Sequence, residues 1–244
     1  MSRLNGLSLS TADPQLDVVF DDTHLLVVHK RAELPTLGVA EDRPSLLNEA
    51  KEYIRRKYHK PGNVYLGVVS RLDAPVTGLV VIARTSKAAS RLSAAFRDRQ
   101  VTKIYLAAVS GVPDPAECTL EHYLRKDERH RRVHTTHQDC PDAQLARLSY
   151  RVLSQDDVYS LVEVELDTGR KHQIRVQLAK VGHPIIGDIK YGSTEKFPAG
   201  IALHASKLRL KHPVRDDWMS FTAPPPPSWM KRKTVKTLLS TAEM

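Results

Sequence analysis

Five consecutive residues, Leu79-Val80-Val81-Ile82-Ala83, carry no polar side chain, and the middle three are β-branched. The run is too short for an ordinary helix and too apolar for a strand with one wet face. It predicts an interior strand, so the rest of the chain must supply a layer on each side of it. Two helical patterns are available. Residues 45–57 place Leu46, Leu47, Ala50 and Ile54 on one stripe, and Ser86 opens a second helix with Ala88, Ala89, Leu92, Ala95 and Phe96 on one side. Arg84, Lys87, Arg91, Arg97 and Arg99 remain available to solvent or a ligand, and Asp98 and Arg99 read as surface charge.

Further strands are predicted at residues 16–28, as one or two segments around an Asp21-Asp22 turn, at 64–69, and at 101–109 with an end at 111–115. Residues 145–153 and 158–166 read as an antiparallel pair joined near Asp156-Asp157. Residues 172–181 fit a short helix with Ile174, Leu178 and Val181 on a common face and Gly182 at its end. The order of strands and helices is irregular, which favours an α+β fold over a βαβ repeat. One folded unit over 16–225 is expected, after an extension at 1–15. Pro224-Pro225-Pro226-Pro227 would then lead stiffly out of it into a basic tail, 226–244, with Trp229 and Lys231-Arg232-Lys233.

The 244 residues hold 37 Lys plus Arg against 28 Asp plus Glu, a net charge of +9, which favours an anionic partner. No apolar run is long enough to span a membrane, and no signal peptide is expected at the start. Cys118 and Cys140 make no disulfide framework, so a cytoplasmic protein with reduced thiols is expected. Cys118, His122, His134, His137 and Cys140 share one region without the paired spacing of a zinc site, so no metal and no cofactor is expected.

A single carboxylate, Asp73, stands in Ser70-Arg71-Leu72-Asp73-Ala74-Pro75-Val76-Thr77-Gly78, far from two basic segments with glycine marks downstream. A lone acid among arginines suggests chemistry on a polyanion, whereas a metal nuclease would usually want several clustered carboxylates. Residues 69–79 resemble the catalytic motif of the RluA-like family of RNA pseudouridine synthases. Lys103-Ile104-Tyr105-Leu106-Ala107, Thr168-Gly169-Arg170-Lys171-His172-Gln173-Ile174-Arg175-Val176 and Gly182-His183-Pro184-Ile185-Ile186-Gly187-Asp188 resemble it in the expected order, as do Leu203-His204-Ala205 and His212-Pro213. The likeness covers roughly residues 16 to 225. Ser70 replaces the usual histidine, Val76-Thr77 a threonine-serine pair, and Gln177 a common histidine. Relatives often carry an S4-like module at the N-terminus, and the fifteen residues before the first strand are too few for one.

The resemblance implies a catalytic domain over 16–225 that isomerises uridine within RNA, on a mainly antiparallel mixed sheet with surrounding helices and a basic cleft. It implies Asp73 as the catalytic carboxylate, Arg175 as its cationic partner and Tyr105 as a ring packed on the target base. Read without it, Tyr105 is a core tyrosine and Arg175 a solvated helix residue. Arg71 would hold a phosphate or help extrude the base if the segment is extended, with a local salt bridge as the alternative. Arg170 and Lys171 suit phosphate contacts. Arg125, Lys126, Arg129, His130, Arg131 and Arg132 read as a mobile basic loop, either clamping an RNA stem or simply solvated. Gly78 is expected to permit close packing or a turn after the catalytic loop, and His183 and His204 to be structural. The partner expected is structured RNA, with rRNA favoured over tRNA, and the protein a monomer. The competing reading is an RNA-binding or remodelling protein without turnover.

Overall fold

In the computed structural model, which describes residues 16–38 and 43–242, the apolar run lies in a strand, Thr77–Ala83, whose seven residues are all buried. The extension 1–15 lies outside the described residues. In chain order the elements are β1 (Asp17–Asp21), β2 (Leu25–Lys30), α1 (Leu46–Lys57), β3 (Gly67–Val68), β4 (Thr77–Ala83), α2 (Ser86–Arg97), β5 (Thr102–Ser110), β6 (Glu117–Asp127), β7 (Arg132–Thr136), β8 (Gln144–Gln155) and β9 (Tyr159–Leu166). They continue as α3 (Gln173–Lys180), β10 (Leu203–Lys211), β11 (Trp218–Thr222), α4 (Pro227–Met230) and α5 (Lys233–Ala242).

The strands form one sheet in the order β1-β2-β4-β10-β5-β9-β8-β6-β7, with β11 beside β10 and β3 beside β4. Every pairing is antiparallel except β4 with β10, so the fold is α+β on a mixed sheet. Side chains alternate across β4 as a strand requires. Val80 and Ile82 join the core that holds Leu46, Ala50 and Ile54 of α1, while Leu79, Val81 and Ala83 join the core beneath Ala88 and Leu92 of α2. Ser45 and Thr85 cap these two helices by accepting N–H bonds from Asn48 and Ala88.

The parallel contact is short: Thr77 lies opposite His204 and Gly78 opposite Ala205. Gly78 has φ +117°, and a Cβ there would lie 2.3 Å from the Ala205 carbonyl oxygen. The close packing expected of this glycine is therefore a backbone-to-backbone approach that no side chain permits. Gly78→Ala should lower the free energy of unfolding by about 3 kcal/mol or more. Urea unfolding would measure this, and an unchanged midpoint would contradict the close approach.

Three expectations need correction. The segment 64–69 is paired only at Gly67–Val68, opposite Ala83 and Ile82 of β4. The basic cluster is a β-hairpin and not a loop: β6 and β7 pair from Tyr123↔Thr136 to Asp127↔Arg132 around a four-residue turn. Asp127 accepts the His130 N–H there, and Arg131 takes the left-handed conformation. The tail does not leave the body. Trp229 is fully buried, and Val235, Leu238 and Leu239 of α5 join the main core, where Ser154 Oγ donates to Leu238 O at 2.6 Å. The prolines steer the chain back onto the sheet, and one of them starts α4.

Candidate active site

Residues 70–76 form no strand, yet almost every residue is tied down. Ser70 Oγ accepts the Val81 N–H at 2.9 Å. Thr36 Oγ1 donates to Leu72 O at 2.8 Å and accepts the Leu72 N–H at 3.2 Å. The Val76 N–H donates to Asp73 O at 3.0 Å, and the Ile201 N–H to Pro75 O at 3.1 Å. Lys30 Nζ donates to Ala74 O at 3.0 Å, and to Leu34 O and Arg31 O at 2.8 and 2.9 Å. Burial pushes this lysine down to about 7, while Asp73 and Glu33 pull it up. Three carbonyl acceptors call for three N–H donors, which only the ammonium form has. Asp73 thus sits on a turn clamped at the residue before it and the residue after it.

The Asp73 side chain is 25% exposed, and its Oδ2 accepts from Arg175 Nη1 at 2.9 Å. Arg175 comes from the first turn of α3 and is itself buried. Its other edge is bidentate to the buried Asp188, with Nε at 2.6 Å and Nη2 at 2.8 Å. Burial opposes the Arg175 charge, but the hydrogen bonds and charge of Asp188, with Asp73 behind them, outweigh it and raise its pKa. His172 places Nε2 3.6 Å from the same Asp73 oxygen. Its Nδ1 lies 2.6 Å from Tyr191 Oη, which accepts the Val133 N–H of β7 at 3.0 Å. Burial pushes His172 down to about 4 against the pull of Asp73, with Arg175, Lys171 and Lys190 adding to the depression.

Asp73, His172 and Arg175 line one open cleft of about 830 Å³. Asp73, Tyr105 and Arg175 all face it, so the three residues singled out from separate segments converge. Burial, with the Asp73 charge behind it, pushes the Tyr105 phenol up. Arg71, Arg170 and Lys171 also line the cleft. Arg71 reaches it from outside any strand or helix, just before the turn at residues 74–75. Arg170 is partly committed, donating from Nε to Leu145 O at 3.0 Å. Arg129, Arg131 and Arg132 do not line the cleft; they stand at the hairpin turn, where only Lys126 reaches it. Arg132 donates to Lys190 O and lies over the Tyr191 ring, while Lys190 donates to Arg131 O at 2.8 Å, so the turn is clamped to the segment that carries Tyr191.

Asp188, His172, Tyr191, Lys103 and Lys30 were missed as site residues. Asp188 and His172 lie inside motifs the sequence reading singled out, and the signal was their charge or ring beside a left-handed glycine or a helix start. Lys103 lines the cleft half-buried; burial pushes its pKa down, Asp167 raises it and Arg99 lowers it further. Arg99, read as surface charge, lines the cleft as well.

The residues that depart from the family pattern make contacts within the fold, and Ser70 and Val76 also line the cleft. Ser70 ties the turn to β4, Val76 is buried in the main core, and Thr77 Oγ1 lies 2.8 Å from His204 Nδ1. Gln177 Nε2 donates to Leu120 O at 3.1 Å and to Ala146 O at 3.2 Å, beneath the hairpin. His183 Nδ1 bonds the Ser110 carbonyl, and His204 Nε2 the Ala223 carbonyl, in keeping with packing roles.

Burial pushes His204 down to about 4, against the hydrogen bond to Ala223. Its folded pKa lies below the unfolded one, so the unfolded chain takes up the proton first as pH falls. Stability should therefore be lost through the window from about 6.5 down to 4, with about 2 kcal/mol of that loss between pH 7 and pH 5. Urea unfolding of the native protein and of His204→Gln at both pH values tests this. An equal pH dependence in the two would contradict it.

A family model described as RNA pseudouridylate synthase matches residues 24–180. An uncharacterized RNA pseudouridine synthase of Chloroflexus aurantiacus is 41% identical over 167 residues, which cover 68% of this chain and 52% of that protein. The chain thus spans about half the length of that relative. The ribosomal large subunit pseudouridine synthase D of Haemophilus influenzae is 30% identical over 234 residues, covering 88% of this chain and 69% of that protein. Among solved structures, human RNA pseudouridylate synthase domain containing 1 superposes with a TM-score of 0.68 at 29% identity, covering 87% of this chain and 85% of the other. Human RNA pseudouridylate synthase domain containing 4 gives 0.72 at 24% identity, over 93% and 92%, a likeness of fold.

Proposed function

Because the chain belongs to the RNA pseudouridylate synthase family, we propose that it isomerises uridine to pseudouridine within structured RNA, with Asp73 as the catalytic carboxylate. The observation that carries the reading is the line Asp73–Arg175–Asp188, whose Asp73 and Arg175 line one basic cleft together with Tyr105 while Asp188 is buried behind them. In the reaction the bond from N1 to C1′ breaks, the uracil turns, and C5 bonds C1′ while its proton is lost and N1 is protonated. No electrons enter or leave. A carboxylate beside the sugar either attacks it or stabilises its cationic character. Tyr105 offers a ring for the extruded base, and Arg71, Lys103, Arg170 and Lys171 offer positive charge to the phosphates on either side of it.

The RNA we propose is ribosomal. The Haemophilus relative is named for the large ribosomal subunit, and a cleft lined by arginine and lysine suits recognition of a folded stem-loop by shape and phosphates. Nucleotide-resolution pseudouridine mapping in cells with and without the gene tests both parts. Loss of an rRNA site, restored by the native protein, is the expected result. Loss of a tRNA site alone would overturn the ribosomal part, and no lost site in any RNA would overturn the enzymatic reading.

A further inference from the structure

Asp73 has two carboxylate oxygens, and the fold treats them differently. Arg175 Nη1 at 2.9 Å and His172 Nε2 at 3.6 Å both approach Oδ2. Among the described residues Oδ1 has neither a hydrogen bond nor an ion pair. We propose that His172 is a positioning residue for Asp73: with Arg175 it holds Oδ2 and so presents Oδ1 to the bound uridine. The inference rests on Asp73 being the catalytic carboxylate, as proposed above.

The backbone of His172 is left-handed, with φ 54°, a conformation that costs a residue with a Cβ about 1 kcal/mol or more. It immediately precedes α3, yet its side chain makes no capping bond. The left-handed turn instead sends the ring inward, where its side chain is 9% exposed. Tyr191 then sets the ring. Its oxygen accepts the Val133 N–H and lies 2.6 Å from His172 Nδ1; in the tautomer we take, Tyr191 donates to Nδ1 and the ring hydrogen on Nε2 faces Asp73. At 3.6 Å this is an approach of the N–H dipole to a charge rather than a hydrogen bond.

Arg175, three residues further along the helix, lies with its guanidinium carbon 5.0 Å from the centre of the Tyr191 ring. Both groups that approach Oδ2 therefore rest on one tyrosine. A carboxylate turns readily about its last bond, so a second contact on the same oxygen keeps the two oxygens from exchanging roles.

The test is steady-state isomerisation of an unmodified large-subunit rRNA transcript, read by mass-tagging of pseudouridine. His172→Phe keeps the ring and removes the N–H; His172→Gln places an amide N–H near the position of Nε2. The phenylalanine variant should lose kcat on the order of tenfold or more, with KM within about twofold, and the glutamine variant should recover most of that loss. Native kcat in His172→Phe, a change confined to KM, or a glutamine variant no better than phenylalanine would overturn the proposal.

Should His172→Phe lose cooperative unfolding, Tyr191→Phe decides, since it removes one hydroxyl. A kcat reduced by roughly threefold or more supports the relay, and an unchanged kcat overturns it. Asp73→Asn in the same assay separates the two readings. Activity retained there would bring down the catalytic assignment, whereas an inactive Asp73→Asn beside a fully active His172→Phe would bring down the positioning role alone.

Discussion

Asp73→Asn should lower the rate of uridine isomerisation by roughly a thousandfold or more while leaving the fold and RNA binding in place. The asparagine keeps the shape of the side chain and removes the charge to which we assign attack on, or stabilisation of, the sugar. The turn should survive, because its clamps act on backbone atoms: Thr36 on Leu72, Lys30 on Ala74 and Ile201 on Pro75. Arg175 should survive too, since Asp188 still takes two of its N–H groups. Pseudouridine mass-tagging measures the rate, and gel shift with the same RNA measures binding, expected within about threefold of native. Product formation at the native rate would remove Asp73 from the mechanism. A rate loss matched by an equal loss of binding would move its role from chemistry to RNA capture.

Much of this site was legible because its chemistry is carried by polar residues in apolar or glycine-marked surroundings. The buried strand β4 announces itself through an unbroken apolar run, and the turn before it carries Asp73. Strands β8 and β9 were legible as a pair because their buried apolar residues largely alternate, as at Val162, Val164 and Leu166 on β9. The hairpin of β6 and β7 was missed for the opposite reason. Only Leu120 and Leu124 of β6 and Val133 of β7 are buried, so the period of two is diluted by charge on a strand pair near the sheet edge.

The last helix was missed because proline and lysine dominate its approach, although Val235, Leu238 and Leu239 have helical spacing. Asp188 shows a different limit. A carboxylate after a glycine reads as a turn residue, and nothing local says that its partner is an arginine thirteen positions earlier. Tertiary pairing of that kind is set by where α3 and the following turn meet, which no short window contains.

The same pairing makes the second large effect. Asp188→Ala should lower the free energy of unfolding by about 3–5 kcal/mol, because it strands a buried guanidinium whose remaining partner, Asp73, is partly exposed to the cleft. Isomerisation should fall with it, since an Arg175 released from Asp188 no longer holds Asp73 in one place. Stability and chemistry are separated by a second variant, Arg175→Leu with Asp188→Leu. Two apolar side chains in that buried site leave no orphaned charge, so most of the lost stability should return. Activity should not, because Asp73 has lost its cation. Urea unfolding and pseudouridine mass-tagging on both variants decide the matter. Recovery of both properties in the double variant would mean that Arg175 and Asp188 serve the fold alone, and recovery of neither would mean that the pair is needed for packing in a way its charges do not explain.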